Sequence, residues 1–517
     1  MRRFFLLGCL LLTASFLFAS KYRIANVTYD VLGITRPYAI ERNVEVDKSR
    51  IFNSYTELNL YIKDLEQQLI NKRTFSASNI SLTYDDIKGD EEISLVHLHI
   101  FTSDSKHLLI VPYPKYDSNS GLTLKAKIKD TNFLGTMSAL NADVEFFSGE
   151  DSETSEWKNK LGFSLSYDYP FKMGSFKSSW NNSLSFSYTF GKDAPEFNVT
   201  TGFTFILPFD TFSISLDLKQ SVIRNFDYKK YGDDLYFVEG ATLSIPIILQ
   251  KIDNWGNVTW SPYVSYTWNW DADGISTENK DLSSPILDFG HSISTSRVNW
   301  IGNFRNGISA TVGQSLGYNF QKDQYIPKVY TELMGYKSAF KYVGFSGRLY
   351  GFASYNGTEK IGSKLRGIKD DQKYSGTDKK ALDVSAAILI NLDMPIHIIT
   401  TDWCGWIEAI FGEESKIAKA FGFMRYLDFE LQISPFVDAA LTRNTATGRT
   451  FSIKDGFYSA GLEVLVFPQK WRSIEVRASL GVDVGRKLIK KAVSSLIDDS
   501  WRTGSSYELY IGIGLHY

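Results

Sequence analysis

Two cysteines in 517 residues are too few for a disulfide scaffold. Charge of one sign is missing too. The 56 basic and 58 acidic residues leave a net charge of −2, without the basic excess of a nucleic-acid binder. Beyond residue 20 no apolar run reaches the about 20 residues that a membrane-crossing helix needs, and the mean hydropathy is −0.17. Two catalytic patterns are absent as well: there is no H-E-x-x-H and no phosphate-binding loop. The six histidines are scattered, and the acidic pairs Asp233-Asp234 and Asp370-Asp371 lie in turn-like stretches. We therefore expect no enzymatic activity, no cofactor and no metal site. What is abundant is aromatic: 11 Trp, 29 Tyr and 36 Phe make up 15 % of the chain, which excludes intrinsic disorder. Apolar residues are interleaved with polar ones, as in strands.

Residues 1–20 read as a secretory signal peptide, with Arg2 and Arg3 ahead of an apolar core from Phe4 to Leu17 and the small pair Ala19-Ser20 at its exit. The alternative is a single signal-anchor helix, for which the stretch is short. Cys9 after Leu6-Leu7-Gly8 superficially resembles a lipoprotein box, but cleavage there would leave an apolar tail from Leu10 to Phe18 and only a vestigial apolar core. With the leader removed, Cys404 is the only cysteine, so an internal disulfide is impossible.

Residues 21–105 form a module of different character. Tyr22 to Tyr29 alternate like a strand, and Arg36 to Asn43 suit a short helix. Ser54-Tyr55-Thr56-Glu57 is a capping box, and the helix that it opens carries Leu58, Ile62, Leu65 and Leu69 on one stripe. Strands are expected at Ser76 to Tyr84 and at Ile93 to Phe101. His97 and His99 share one side of their strand but lack a third ligand nearby, so they read as half-exposed strand residues. The order β-α-α-β-β resembles a POTRA domain, the periplasmic polypeptide-binding module of the BamA-type superfamily of outer-membrane assembly and secretion proteins.

From about residue 112 to Tyr517 long segments alternate strictly. Leu122, Leu124, Ala126 and Ile128 face away from Thr123, Lys125, Lys127 and Lys129, and Leu161 to Tyr169 and Leu184 to Phe190 behave likewise. Trp260, Val264, Tyr266, Trp268 and Trp270 form another apolar face, and Gly-, Asn- and Asp-rich stretches such as Asp271 to Asp281 separate the segments. Apolar residues with aromatic ends on one face and polar residues on the other suit a barrel with lipid outside and water inside. A soluble sandwich also alternates, but the aromatic load and the end of the chain favour the barrel. Tyr507, Leu509, Ile511, Ile513, Leu515 and Tyr517 read as one apolar face, and Tyr510-x-Gly512-x-x-Leu515-x-Tyr517 looks like a C-terminal insertion signal of outer-membrane barrels. At about 25 residues per strand and connection, the expected fold is mainly β: an antiparallel transmembrane barrel of about 16 strands behind one small α/β domain.

Three patches strengthen the resemblance to the BamA-type superfamily (bacterial surface antigen family). Pro112-Tyr113-Pro114 followed by Asp130-Thr131-Asn132-Phe133-Leu134-Gly135 looks like the family's entry into its first barrel strands. Leu365-Arg366-Gly367-Ile368 resembles the V-R-G-F/Y motif at the tip of its sixth extracellular loop. Phe436-Val437-Asp438-Ala439-Ala440 resembles the F-x-D-x-G/A motif on its strand 13 wall. The resemblance implies that the loop folds into the lumen and that Arg366 meets Asp438. The chemistry suits this, because a guanidinium fork matches a carboxylate two bonds at a time, and Gly367 permits a tight turn.

Leu365 and Ile368 depart from the motif. Where the family carries E-x-R-x-P, the chain reads Asn391-Leu392-Asp393-Met394-Pro395, so an accessory charge network is expected to be lost. Trp403 to Phe421 look like an inserted amphipathic helix, lying on the membrane or plugging the pore, or else a long ordered turn.

The resemblance implies an outer-membrane factor for protein insertion or polypeptide translocation. Its POTRA would capture unfolded outer-membrane or secreted chains by strand addition, and accessory periplasmic proteins or lipoproteins would be possible partners. A weak seam would lie between the first barrel strand, near Leu122 to Ile128, and the last, near Tyr507 to Tyr517, with Gly512 and Gly514 loosening the latter. The alternatives are a two-partner-secretion transporter of the same superfamily, or a passive porin or surface adhesin.

Overall fold

The computed structural model describes residues 21–85, 93–117, 121–150, 157–225, 235–252, 255–270 and 285–517. The leader, Asp233-Asp234 and the whole Asp271 to Asp281 stretch lie outside these residues. The chain divides at Ser105/Lys106 into two compact units.

The front unit runs β1 (Lys21–Leu32), α1 (Pro37–Asn43), β2 (Ile51–Phe52), α2 (Tyr55–Lys72), β3 (Phe75–Tyr84) and β4 (Ile93–Asp104). Its sheet has the order β2-β1-β4-β3, with β1 parallel and β3 antiparallel to β4. Two residues of β2 are too few to show an alternation, which is why the sequence pattern missed that strand. Proline, with its preset φ and no N–H to leave unpaired, starts α1. At the start of α2 the Ser54 hydroxyl accepts from the Glu57 N–H (3.1 Å), and the Glu57 carboxylate accepts from the Asn53 N–H (2.9 Å). The stripe Leu58, Ile62, Leu65 and Leu69 is buried, as are Ile24, Val96, Leu98 and Ile100 of the sheet. On the other face of β4, His97 bonds Asp85 (2.9 Å), and His99 sits between Thr28 (2.7 Å) and Thr83 (2.9 Å). Within this sheet β3 is the long edge strand.

In the second unit twenty strand segments close into a ring of sequential antiparallel neighbours. Two strands are broken by proline, which cannot donate to a ladder. Leu235–Ser244 and Ile247–Ile252 flank Pro246, and both pair with Gly256–Trp270. Ala386–Asp393 and Ile396–Thr400 flank Pro395, and both pair with Phe429–Thr442. The described ring therefore has eighteen staves, against the about 16 expected. Tight turns explain the difference: only two residues separate Met173 from Phe176, and Ile301 from Phe304. Asp438 stands on the fifteenth stave rather than the thirteenth, so the two additional strands precede the inward loop. The first stave is Leu108–Asp117, and the Leu122 to Ile128 run belongs to the second (Gly121–Asp130). Pro112-Tyr113-Pro114, which resemble an entry segment in sequence, lie within the first stave itself.

Alternation sorts each stave into two faces. Ile388, Ile390 and Leu392 are exposed, while Ala387, Leu389 and Asn391 between them are buried; Val437, Leu462, Leu480 and Leu509 continue the apolar exterior. A closed sheet with an apolar outside satisfies its backbone without water, as a strand must in hydrocarbon. Among the described residues no helix is long and apolar enough to cross a membrane.

The front unit yields a test. Leu65 is fully buried, so Leu65→Ala should destabilise that unit by about 2–5 kcal/mol. In the full chain, hydrogen exchange at the amides of Val96 to Ile100 should then accelerate more than tenfold, with exchange in the barrel unchanged.

Candidate functional site

Residues 355–385 leave the wall after Val343–Ser354 and return at Ala386–Asp393. An aqueous loop would carry few buried apolar groups, but here Ile361, Leu365, Ile368, Leu382 and Val384 pack with Tyr350, Leu389 and Phe457 of the wall and with Trp501. Apolar burial thus draws the loop into the lumen, and Ile368 packs in this cluster at the position where the family motif has an aromatic.

At its tip Arg366 is 4 % exposed and Asp438 not at all. Arg366 Nε and Nη2 donate to the two Asp438 oxygens at 3.0 and 2.7 Å, and the Arg366 main-chain N–H adds a third bond at 2.8 Å. Arg366 Nη1 donates to Asp393 and lies 3.7 Å from Glu463, which also pairs with Arg477 at 3.3 Å. The Phe436 ring lies 4.0 Å beneath the guanidinium. An arginine keeps its proton in proteins, so the buried cation is balanced by the Asp438 and Asp393 carboxylates.

Gly367 has φ +78°, and a Cβ there would stand 2.6 Å from the Gly481 carbonyl carbon, so the loop backbone lies directly on the wall backbone. The Gly367 N–H donates to Glu508 on the last stave (3.0 Å), and Asn391 donates to the Lys364 carbonyl (2.9 Å). The charge network expected to be lost is therefore present in other residues: Asp393 replaces the missing partner, and Asn391 fastens the loop.

The chain end departs from the expected strand. Tyr507, Leu509 and Ile511 face outward, but the last stave stops at Ile513, and Gly514 turns with φ +95°. Leu515 and Tyr517 do not continue the outward face. The Tyr517 hydroxyl donates to Asp393, and Arg305 donates to the Tyr517 main-chain oxygen. Tyr510 faces inward under Arg477 at 4.3 Å, and Gly512 has the same strand phase. The loop and the tail thus share Asp393, an arrangement that a period of two could not reveal. Inward-phase charges on neighbouring staves, Glu463, Arg477 and Glu508, were the available signal.

The ring closes between the first stave and Tyr507–Ile513. The His107 carbonyl accepts from Thr131 N (2.9 Å), which sets the phase of the first hairpin: odd-numbered residues of the first stave bond the second stave, and even-numbered ones face the seam. Pro112 and Pro114 therefore stand on the seam side of the first stave without an N–H to offer. At the foot of the seam Lys106 N donates to the Lys470 carbonyl (2.7 Å), and the Trp471 indole donates to the Leu108 carbonyl (2.7 Å). The Thr131 and Ser473 hydroxyls lie 2.6 Å apart.

No protein-family model matches the sequence, and no curated protein does. Among solved structures the chain is similar to BamA from Haemophilus ducreyi lacking POTRA domains 1–3, with 14 % identity, a TM-score of 0.36 and coverage of 95 % of this chain and 85 % of that one. It is also similar to CdiB from Escherichia coli (9 % identity, TM-score 0.49, 95 % of this chain and 76 % of that one). CdiB from Acinetobacter baumannii gives 9 % identity, a TM-score of 0.41 and coverage of 90 % and 70 %. Similarity at this level carries no functional weight.

Removing one side of the buried pair isolates the other, at about 3–5 kcal/mol. Arg366→Ala should therefore lower the temperature at which the barrel unfolds on semi-native gels. Gly367→Ala, which leaves every charge in place, should do the same through its Cβ, whereas Lys379→Ala at an exposed loop position should not.

Proposed function

We propose that the chain is a BamA-type outer-membrane factor that assists insertion of β-barrel polypeptides. The observation that carries this reading is the donor-poor seam. A backbone hydrogen bond contributes about 0.5–1.5 kcal/mol net, and the first stave lacks two seam-facing donors at Pro112 and Pro114. Its even-numbered carbonyls remain available, so an incoming strand could pair there as the native one does.

In this reading residues 1–20 direct export, and residues 21–105 act as a periplasmic POTRA whose β3 edge receives an extended chain. Glu66 on α2 accepts from the Ile80 N–H (3.2 Å) and sets the helix beside that edge. Captured polypeptide then passes to the seam, with binding and folding of the substrate supplying the energy. Accessory periplasmic proteins would dock on the same module. A pore-passing role, as in two-partner secretion, is less well supported, because the inward loop and the tail occupy the lumen; a passive porin has no use for such a buried loop core.

Photo-crosslinkers at the exposed β3 residues Asn79 and Ser81 test this in cells. The expected adducts are several different outer-membrane barrel precursors. A single exported soluble protein would contradict insertion and favour secretion.

A further inference from the structure

Residues 401–428 join the fourteenth and fifteenth staves at the rim where Lys106 enters the barrel, as their bonds to the neighbouring turn show: Gln469 N donates to the Asp428 carbonyl (2.8 Å), and Gln469 Nε2 donates to the Thr401 carbonyl (3.1 Å). Instead of a short turn they form two helices. Trp403–Phe411 is capped by the Asp402 carboxylate on Gly405 N (3.0 Å), and Lys416–Ala420 by the Ser415 hydroxyl on Ala418 N (3.0 Å).

The pair is self-contained. Trp403 meets Trp406 edge-on at 5.1 Å, its indole donates to the Leu427 carbonyl (3.3 Å), and the Cys404 thiol points at the Gly422 carbonyl (3.6 Å). The polar and ring contacts described for the hairpin lie within it or at the rim.

What the hairpin lacks is cover. Ile410 is 73 % exposed, and Trp406, Phe411, Ile417, Phe421 and Phe423 are exposed with it. Of the nine residues in the first helix only Glu408 is charged. A patch of this kind in water marks an interaction surface. Its continuity identifies the occupant: exposed Ile398 and Ile399 at the foot of the fourteenth stave join it to the band of Ile388, Ile390 and Leu392 that faces lipid. The first helix has nine residues, about 14 Å at the usual rise, too short to cross a bilayer. Tryptophan and tyrosine at a barrel rim suit the boundary between headgroups and acyl chains.

We propose that residues 403–427 are a monotopic lipid anchor. The hairpin lies in the interfacial layer of the leaflet at that rim, with Ile410, Phe411 and Phe423 against acyl chains. It seats the barrel at a fixed depth on one side. This rests on the barrel spanning the membrane and is independent of what the barrel handles.

The test uses the full chain with Cys9→Ser and Cys404→Ser, reconstituted into vesicles of phosphatidylethanolamine and phosphatidylglycerol. A nitroxide is attached in turn at Ile410→Cys, Phe423→Cys, the lipid reference Val437→Cys and the aqueous reference Thr445→Cys in a far loop. Collision with oxygen is compared with collision with a neutral nickel chelate. The anchor predicts oxygen-to-nickel ratios at 410 and 423 close to that at 437 and several-fold above that at 445. Ratios equal to that at 445 would overturn it, as would loss of access to both agents, which would put a second copy of the protein over the hairpin. An aqueous ratio at 437 would overturn the transmembrane reading and the anchor with it.

Discussion

A guanidinium that has lost its water must be given carboxylates in return, and the lumen of this barrel is arranged around that requirement. Desolvating a cation costs several kcal/mol unless its donors are all engaged. Arg366 meets the condition with Asp438 and Asp393 on adjacent staves, and with a phenyl ring beneath it. Because those partners lie two residues apart in register on the wall, the loop has one seat. Gly367 is then pressed against Gly481, and its N–H is delivered to Glu508.

The consequence for the last stave is an asymmetry. On its lumenal side it is fastened through Glu508 to the loop, through Tyr510 to Arg477, and through the tail to Asp393 and Arg305. On the seam side it faces a partner from which two donors are missing. At the foot of the seam the turn bearing Lys470 and Trp471 holds the first stave directly. A strand held from within and loosely zipped at its edge can release that edge while remaining in place. In our account the loop therefore steadies the last stave while the seam exchanges partners.

Much of this was legible in the residues, for identifiable reasons. The α2 stripe and its capping box are local signals, and local signals survive folding. Arg366 and Asp438 were found through short motifs whose residue types match the chemistry of their contact. Asp393 was less legible, because a missing arginine suggests a missing network, although a carboxylate within reach of Arg366 serves the same end. The first stave is masked by Pro112 and Pro114, which punctuate a sequence, yet a strand tolerates proline where its N–H side faces a neighbour that can do without it. The phase that puts those prolines on the seam depends on the register of Thr131 against His107, which no single segment contains.

The most direct measurement uses the purified chain in vesicles and follows the rate at which a urea-unfolded outer-membrane barrel inserts. Pro112→Val with Pro114→Val would give the first stave both seam-facing donors. If the donor-poor seam is the route, this variant should be more resistant to heat and should insert the substrate more slowly than the parent. Insertion at the parental rate in a variant with raised heat-stability would contradict the account.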